Sequence, residues 1–413
     1  MKKLIAIFLA AMSVLCLFAG CGSANSAGGS GNEDALQVAV LEGTCTADVW
    51  QKVCDAFEDQ TGIEIQLTVC KNESELASVK ADVIHSGRDS ELAKQFIKDN
   101  KLHDLSGVLA ATIPGEQAKV ADKIEAGFLE SSVTMPYGDG KTYFAPIFFS
   151  HWPLFYNARR FEIMRWDVPT TWDEMWVLAE EALDNDIYLF AYYEAEDMAS
   201  FISALMYSFG GADFYTAVMN GDEAVWDSKE ARNFAKTLEK LAKYTHPEFA
   251  GSKDSEYLVI HKDALFMPNH TGVTTEMLMA TQSISDGTFN WGVMALPAAT
   301  YGESRYIYNT VEQIWIPADA DKKADAEQFI AFLYSDKAVG MFADKSAVQP
   351  IKGINSVVDS SAKWICSVFN NGEKAAVGSG TVNSVLVDGF NQMVDGTVKT
   401  SDFLENMKAA AAQ

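Results

Sequence analysis

LQVAVLEGTCTADVWQKVCDAFEDQTGIEIQLTVC, Leu36 to Cys70, decides the fold. Leu36 to Leu41 reads as a strand. Ala47 to Gln60 reads as an amphipathic helix that Gly62 stops, and Ile63 to Val69 alternates apolar and polar residues as a second strand. Ala81 to Ile84 is a third strand, followed by a polar loop from His85 to Ser90 and another helix to Asp99. Strands alternating with helices argue for a parallel sheet covered by helices. Ligands gather at the carboxyl ends of such strands, so the loops Glu42 to Asp48 and His85 to Asp89 share one rim.

A second α/β region follows Tyr143. Phe144 to Tyr156 is strand-like and aromatic, Tyr188 to Tyr193 is another strand, and Asn290 to Pro297 is a strand ended by its proline. Thr171 starts a helix: its hydroxyl can cap the first turn, and Asp173 and Glu174 lie near the positive end of the helix dipole. Helices run from Met198 to Ser208, from Lys229 to Tyr244 and from Ala324 to Tyr334, with Val311 to Ile316 extended and a mostly helical tail. A chain of 413 residues exceeds what one core serves, so two lobes are expected.

The N-terminus sets the compartment. Met1-Lys2-Lys3 is a short positive start, Leu4 to Phe18 is almost wholly apolar, and Ala19-Gly20 are small. This is the pattern of an export signal over residues 1–20, too short for a membrane span. Leu17-Phe18-Ala19-Gly20-Cys21 resembles the lipobox of bacterial lipoproteins, which implies that Cys21 is the acylated first residue of the mature chain. Multiple acylation would tether it permanently. Residues 21–33 are Gly/Ser-rich and read as a flexible leash. Of the remaining cysteines, Cys45, Cys54, Cys70 and Cys366, any pairing is open; Cys45 with Cys70 is the first to test, and buried free thiols are the alternative. The chain has 32 Lys and Arg against 57 Asp and Glu, a formal net charge of −25. Nucleic acid is excluded as a partner.

Further motifs carry a resemblance over nearly the whole mature chain. They are Phe57-Glu58 with Thr61-Gly62-Ile63, Ala81-Asp82-Val83, Phe144-Ala-Pro146 with Leu154-Phe-Tyr156-Asn157, and Pro169-Thr-Thr-Trp-Asp-Glu174. Gly210-Gly211, Trp291-Gly-Val with Leu296-Pro297, and the stretch from Ala326 to Ser335 complete the set. In this order the sequence resembles extracellular solute-binding proteins of family 1, the carbohydrate-binding lipoproteins of ABC importers. The resemblance implies an α/β, two-lobe fold of periplasmic-binding-protein type II, with three hinge crossovers and a ligand cleft between the lobes. The crossovers would fall near Pro146, near Pro297 to Glu303 and near Val348 to Pro350. Lobe 1 would then hold residues 34–145 and 299–347, and lobe 2 residues 146–298 and 348–413.

A sugar presents hydroxyls that donate and accept and C–H faces that pack on aromatic rings, so its site needs carboxylates, amides, guanidinium and aromatic side chains. Glu42, Thr44, Arg88 and Asp89 lie on the strand-end rim of the first lobe. His151 and Trp152 follow the first expected crossover, Trp152 as a stacking platform and His151 as a donor. Asp197 and Phe201 enter a helix of the second lobe, and Asn269, His270 and Glu312 sit where the resemblance places ligand contacts.

No GxSxG, HExxH or P-loop pattern occurs, so no enzyme and no cofactor is expected. The expected protein is a monomeric receptor, lipid-anchored outside the cytoplasm, that delivers a sugar or oligosaccharide to the membrane subunits of an ABC permease. Leash length and acidity favour a Gram-positive surface; the lining of a periplasm is the other setting. A receptor for ferric iron, with Tyr192-Tyr193 in mind, or for a polyamine is the alternative on the same scaffold.

Overall fold

The computed structural model describes residues 34–125, 127–192, 194–246, 255–261, 263–270, 289–343, 347–354, 373–378 and 384–412. The export signal, the leash, Cys21, Tyr193 and Cys366 lie outside these residues.

The strands among them are β1 (Leu36–Leu41), β2 (Ile65–Cys70), β3 (Val83–Ser86), β4 (Ala145–Trp152), β5 (Leu154–Asn157), β6 (Tyr188–Phe190), β7 (Ala264–Pro268), β8 (Trp291–Met294), β9 (Tyr306–Trp315) and β10 (Lys374–Gly378). They make two sheets. The first runs β10-β9-β3-β1-β2, with β4 also on β9; the second runs β6-β7-β5-β8. The opening stretch forms as its pattern requires. The Ala47–Thr61 helix buries Val49, Trp50, Val53, Cys54, Ala56 and Phe57 on one side, and Gly62, at φ 75°, ends it by donating its N–H to Glu58 O. That left-handed conformation favours glycine. Burying a side chain of the size of Val53 or Phe57 contributes about 1.5–3 kcal/mol, so the helix is held by its sheet-facing stripe.

β1 pairs in parallel with β2 and β3, as the strand–helix alternation leads one to expect. β9 then enters antiparallel to β3 and makes the sheet mixed. The two faces of the sheet carry separate cores. Leu36, Val38, Val40, Cys45 and Trp50 lie in one, and Ala39, Cys70, Ile84 and Trp315 in the other. This overturns the Cys45–Cys70 pairing: the two thiols are on opposite faces, and Cys45, Cys54 and Cys70 are all free.

The chain leaves the first sheet later than Pro146. Ala145 to Trp152 all belong to β4, paired with β9, and Pro153 separates β4 from β5, the first strand of the second sheet. Proline has no N–H to continue a ladder, which is why the strand breaks there. The second passage lies between β8 and β9, where Leu296 N–H reaches Tyr306 O. Val348 to Pro350 do not cross. They stay in the first lobe, with Val348 O accepting from Phe149 N–H and Pro350 O from Glu125 N–H. Among the described residues the third change of lobe falls between Gly378, in the first sheet, and the Ser384–Val394 helix, whose Leu386 and Phe390 join the second core.

The lobes share a spine. The Ala195–Met219 helix of the second lobe lies against β9 and β10: Tyr207 donates to Val377 O at 2.9 Å, and the Tyr215 and Tyr308 hydroxyls meet at 3.3 Å. The Thr171 cap forms as read, its hydroxyl accepting from Glu174 N–H, and the Glu174 carboxylate closes a capping box by accepting from Thr170 and Thr171 N–H.

Candidate ligand-binding site

Strand order creates the site. β4 covers one edge of β9 from Tyr308 to Ile314, so β10 and β3 must share the other edge. Because β10 runs parallel to β9 and β3 antiparallel, their carboxyl ends approach each other head-on. β10 ends at Gly378 opposite Thr310, and β3 ends at Ser86 opposite Gln313. Val311 and Glu312 between them are matched by neither strand. Such a switch in strand pairing is where open α/β sheets bind ligands.

Glu312 fills that gap, its side chain 15% exposed. The Thr44 hydroxyl, from the loop after β1, donates to its Oε1, and Nε2 of His85, at the end of β3, lies 3.1 Å from its Oε2. Burial pushes the Glu312 carboxyl up, but the hydrogen bond to His85, the Thr44 hydroxyl and the Arg88 charge outweigh it and leave the pKa below the ordinary carboxylate value. Cys45 beside it shows the opposite balance, burial and the Glu312 charge raising its thiol to about 12. A thiol so held is no hydroxyl partner.

Arg88 reaches across the lobes. Its Nη1 is 3.4 Å from Thr310 Oγ1 and 3.7 Å from Glu196 Oε1, in the first turn of the Ala195–Met219 helix, and its guanidinium lies 5.6 Å from the centre of the Trp152 ring. Trp152 itself is only 1% exposed, packed against Tyr308 and His270. In this state the ring is a wedge between the lobes and offers no open face. Asp197 is buried next to it. Burial, with repulsion from Glu194 and Glu196, raises its pKa to about 7 against the opposing pull of the Glu194 N–H and the Trp152 indole.

The other candidates are dispersed. Strand alternation turns His151 and Trp152 to opposite faces of β4, and His151 stacks on Phe149, buried on the far side from Glu312. Phe201 is in the second core, against Phe190 and edge-on to Trp172. Asp89, at φ 55°, holds Lys94 at 2.7 Å. Glu42 is exposed on the rim with its N–H on Cys70 O. Asn269 is buried beside the crossover: its N–H points to Pro153 O at 3.5 Å, and its Oδ1 accepts from His270 N–H at 2.7 Å. Thus Thr44, Arg88, Trp152, Asp197, His270 and Glu312 come together. His85, Glu196 and Thr310 complete the cluster; the strand-end rule marked the first of these, since His85 opens the rim loop.

A family model described as bacterial extracellular solute-binding protein matches residues 43–340. The chain belongs to this family. Solute-binding proteins of known structure share the fold. The bacterial solute receptor AcbH, with its exclusive preference for β-D-galactopyranose, superposes with a TM-score of 0.71 at 15% identity, over 91% of this chain and 98% of its own. A family 1 solute-binding protein of Bifidobacterium longum subsp. infantis superposes with a TM-score of 0.70 at 18% identity, over 92% of this chain and 100% of its own. The diacetylchitobiose binding protein NgcE of Streptomyces coelicolor is 23% identical over 265 residues, 61% of this chain; the match spans 55% of that relative's length. This solute-binding protein presents, between its lobes, a fixed carboxylate, a guanidinium and a buried aromatic wedge.

Proposed function

We propose that the protein captures a carbohydrate, a sugar or short oligosaccharide, between its lobes and delivers it to the membrane permease of an ABC importer. The observation that carries this reading is the Thr44–Glu312–His85 cluster at the strand-pairing switch, faced by Arg88 and by the first turn of the Ala195–Met219 helix. A carboxylate and a guanidinium fixed opposite each other match hydroxyls that both donate and accept. The sugar-binding relatives support the same class of ligand. The protein acts as a monomeric receptor without catalysis, outside the cytoplasm, and Cys21 carries its lipid anchor. Trp152 becomes a stacking surface only when the lobes part and Arg88 leaves its ring.

The acids Glu194, Glu196 and Asp197 at one helix start favour a second reading, a polyamine receptor. Ferric iron is less well supported, because the Tyr192 hydroxyl is committed to Asn391 in the second lobe. Thermal-shift titration of the mature chain with monosaccharides, chito-oligosaccharides, spermidine and ferric citrate tests these readings. A ligand at a hundred times its Kd adds about 2.7 kcal/mol of stability. A shift with a sugar and none with spermidine or iron is expected; a shift with spermidine alone would reverse the assignment.

A further inference from the structure

Glu312 is the acceptor at the centre of the cluster, and its geometry is set by a residue with no exposure of its own. His85 is buried, its side chain 1% exposed, with its ring 5.2 Å from Trp50 and 5.7 Å from Phe148. Its Nε2 is 3.1 Å from Glu312 Oε2, and its Nδ1 is buried with no hydrogen-bond partner among the described residues. An unfilled acceptor lone pair costs less than a stranded N–H, and Glu312 is an acceptor, so the network assigns the proton to Nε2. We propose that His85 is a positioning residue: its Nε2–H and the Thr44 hydroxyl lock the Glu312 carboxylate so that its free lone pairs point at ligand hydroxyls. This rests on the carbohydrate reading above. An ionised carboxylate takes about four hydrogen bonds. Two are spent on His85 and Thr44, and the remaining two suit a pair of adjacent sugar hydroxyls.

The alternative is that His85 merely fills space among aromatic rings, and two substitutions separate the roles. His85→Phe keeps an aromatic ring beside Trp50 and Phe148 but has no donor, whereas His85→Gln keeps a donor near the Nε2 position. The titratable groups facing Glu312 are His85 from β3, Arg88 from the following loop and Cys45 from the loop after β1; Phe148 faces it from β4. In the full chain without ligand, the Glu312 carboxyl is followed by ¹³C NMR and assigned with Glu312→Gln. Its midpoint is expected below 4.5 in the unsubstituted protein, displaced upward in His85→Phe and low again in His85→Gln. Calorimetry with D-galactose and diacetylchitobiose as probes should show affinity falling about tenfold or more in His85→Phe and returning to within about threefold in His85→Gln. An unmoved midpoint, or His85→Phe binding as well as the unsubstituted protein, overturns the proposal. If neither probe binds the unsubstituted protein, the choice of sugar is wrong and the ligand-free titration alone decides the role of His85.

Discussion

Asp197 gives the sharpest prediction, because burial, helped by the charges of Glu194 and Glu196, outweighs the hydrogen bonds from the Glu194 N–H and the Trp152 indole. Its ordinary pKa of 3.8 rises to about 7 in the folded chain. A carboxyl with a raised folded-state value binds its proton more tightly when folded, so stability falls as pH rises from about 4 to about 7 and is flat above. At about 1.4 kcal/mol per pH unit, the full cost at pH 8 is about 4 kcal/mol. Asp197→Asn keeps an acceptor for the Glu194 N–H, 3.4 Å away, and cannot ionise. The variant should match the unsubstituted protein near pH 4.5 and exceed it by about 2–4 kcal/mol at pH 8. Urea unfolding at the two pH values measures both. A stability difference that does not change with pH, or a variant weaker at pH 8, would refute the claim that this buried carboxyl bears an ionisation penalty.

Trp152→Ala should destabilise the chain by about 3–5 kcal/mol in the same denaturation assay, since it empties a fully buried site between the lobes. Arg88→Met removes a half-exposed ion pair worth less than about 1 kcal/mol, so thermal stability should barely change. It also removes a direct lobe-to-lobe contact, so small-angle scattering of the ligand-free protein should show a larger radius of gyration; an unchanged radius would deny Arg88 any part in holding the lobes. Alkylation under native conditions should leave Cys45 and Cys54 unmodified at pH 8, because burial raises both thiols to about 12, and denaturant should expose them. Intact mass with and without reductant should show Cys45, Cys54 and Cys70 unbridged.

Much of the frame was legible because it is written in local periodicity. The stretch from Leu36 to Cys70 gives strand, helix and strand from spacing alone, and Gly62 and Thr171 mark a helix end and a helix start by their capping chemistry. What could not be read is long-range pairing. The resemblance puts the first crossover near Pro146, and nothing in the local sequence near Ala145 says that it pairs with Ile314, in a strand that continues to Trp152 and yields at Pro153. The same limit governed the site. The strand-end rule marks Thr44 and Arg88 because it depends only on where a strand stops, whereas the contact of His85 with Glu312 exists only once β9 puts the two side by side. His151 and Trp152 are adjacent in sequence and so read alike, but neighbours in a strand face opposite ways, and only the register shows that Trp152, not His151, meets the opposite lobe. Phe201, a candidate contact at a helix entry, is core, since the helix turns that side inward against Phe190.

The central claim is that one solute is gripped from both lobes at the gap between β3 and β10. Hydrogen exchange of the chain with and without a saturating sugar tests it most directly. Protection should appear together in residues 42–46, 85–89 and 310–312 of the first lobe and in 194–198 of the second. Protection confined to one lobe, or centred on segments away from Glu312, would contradict the account.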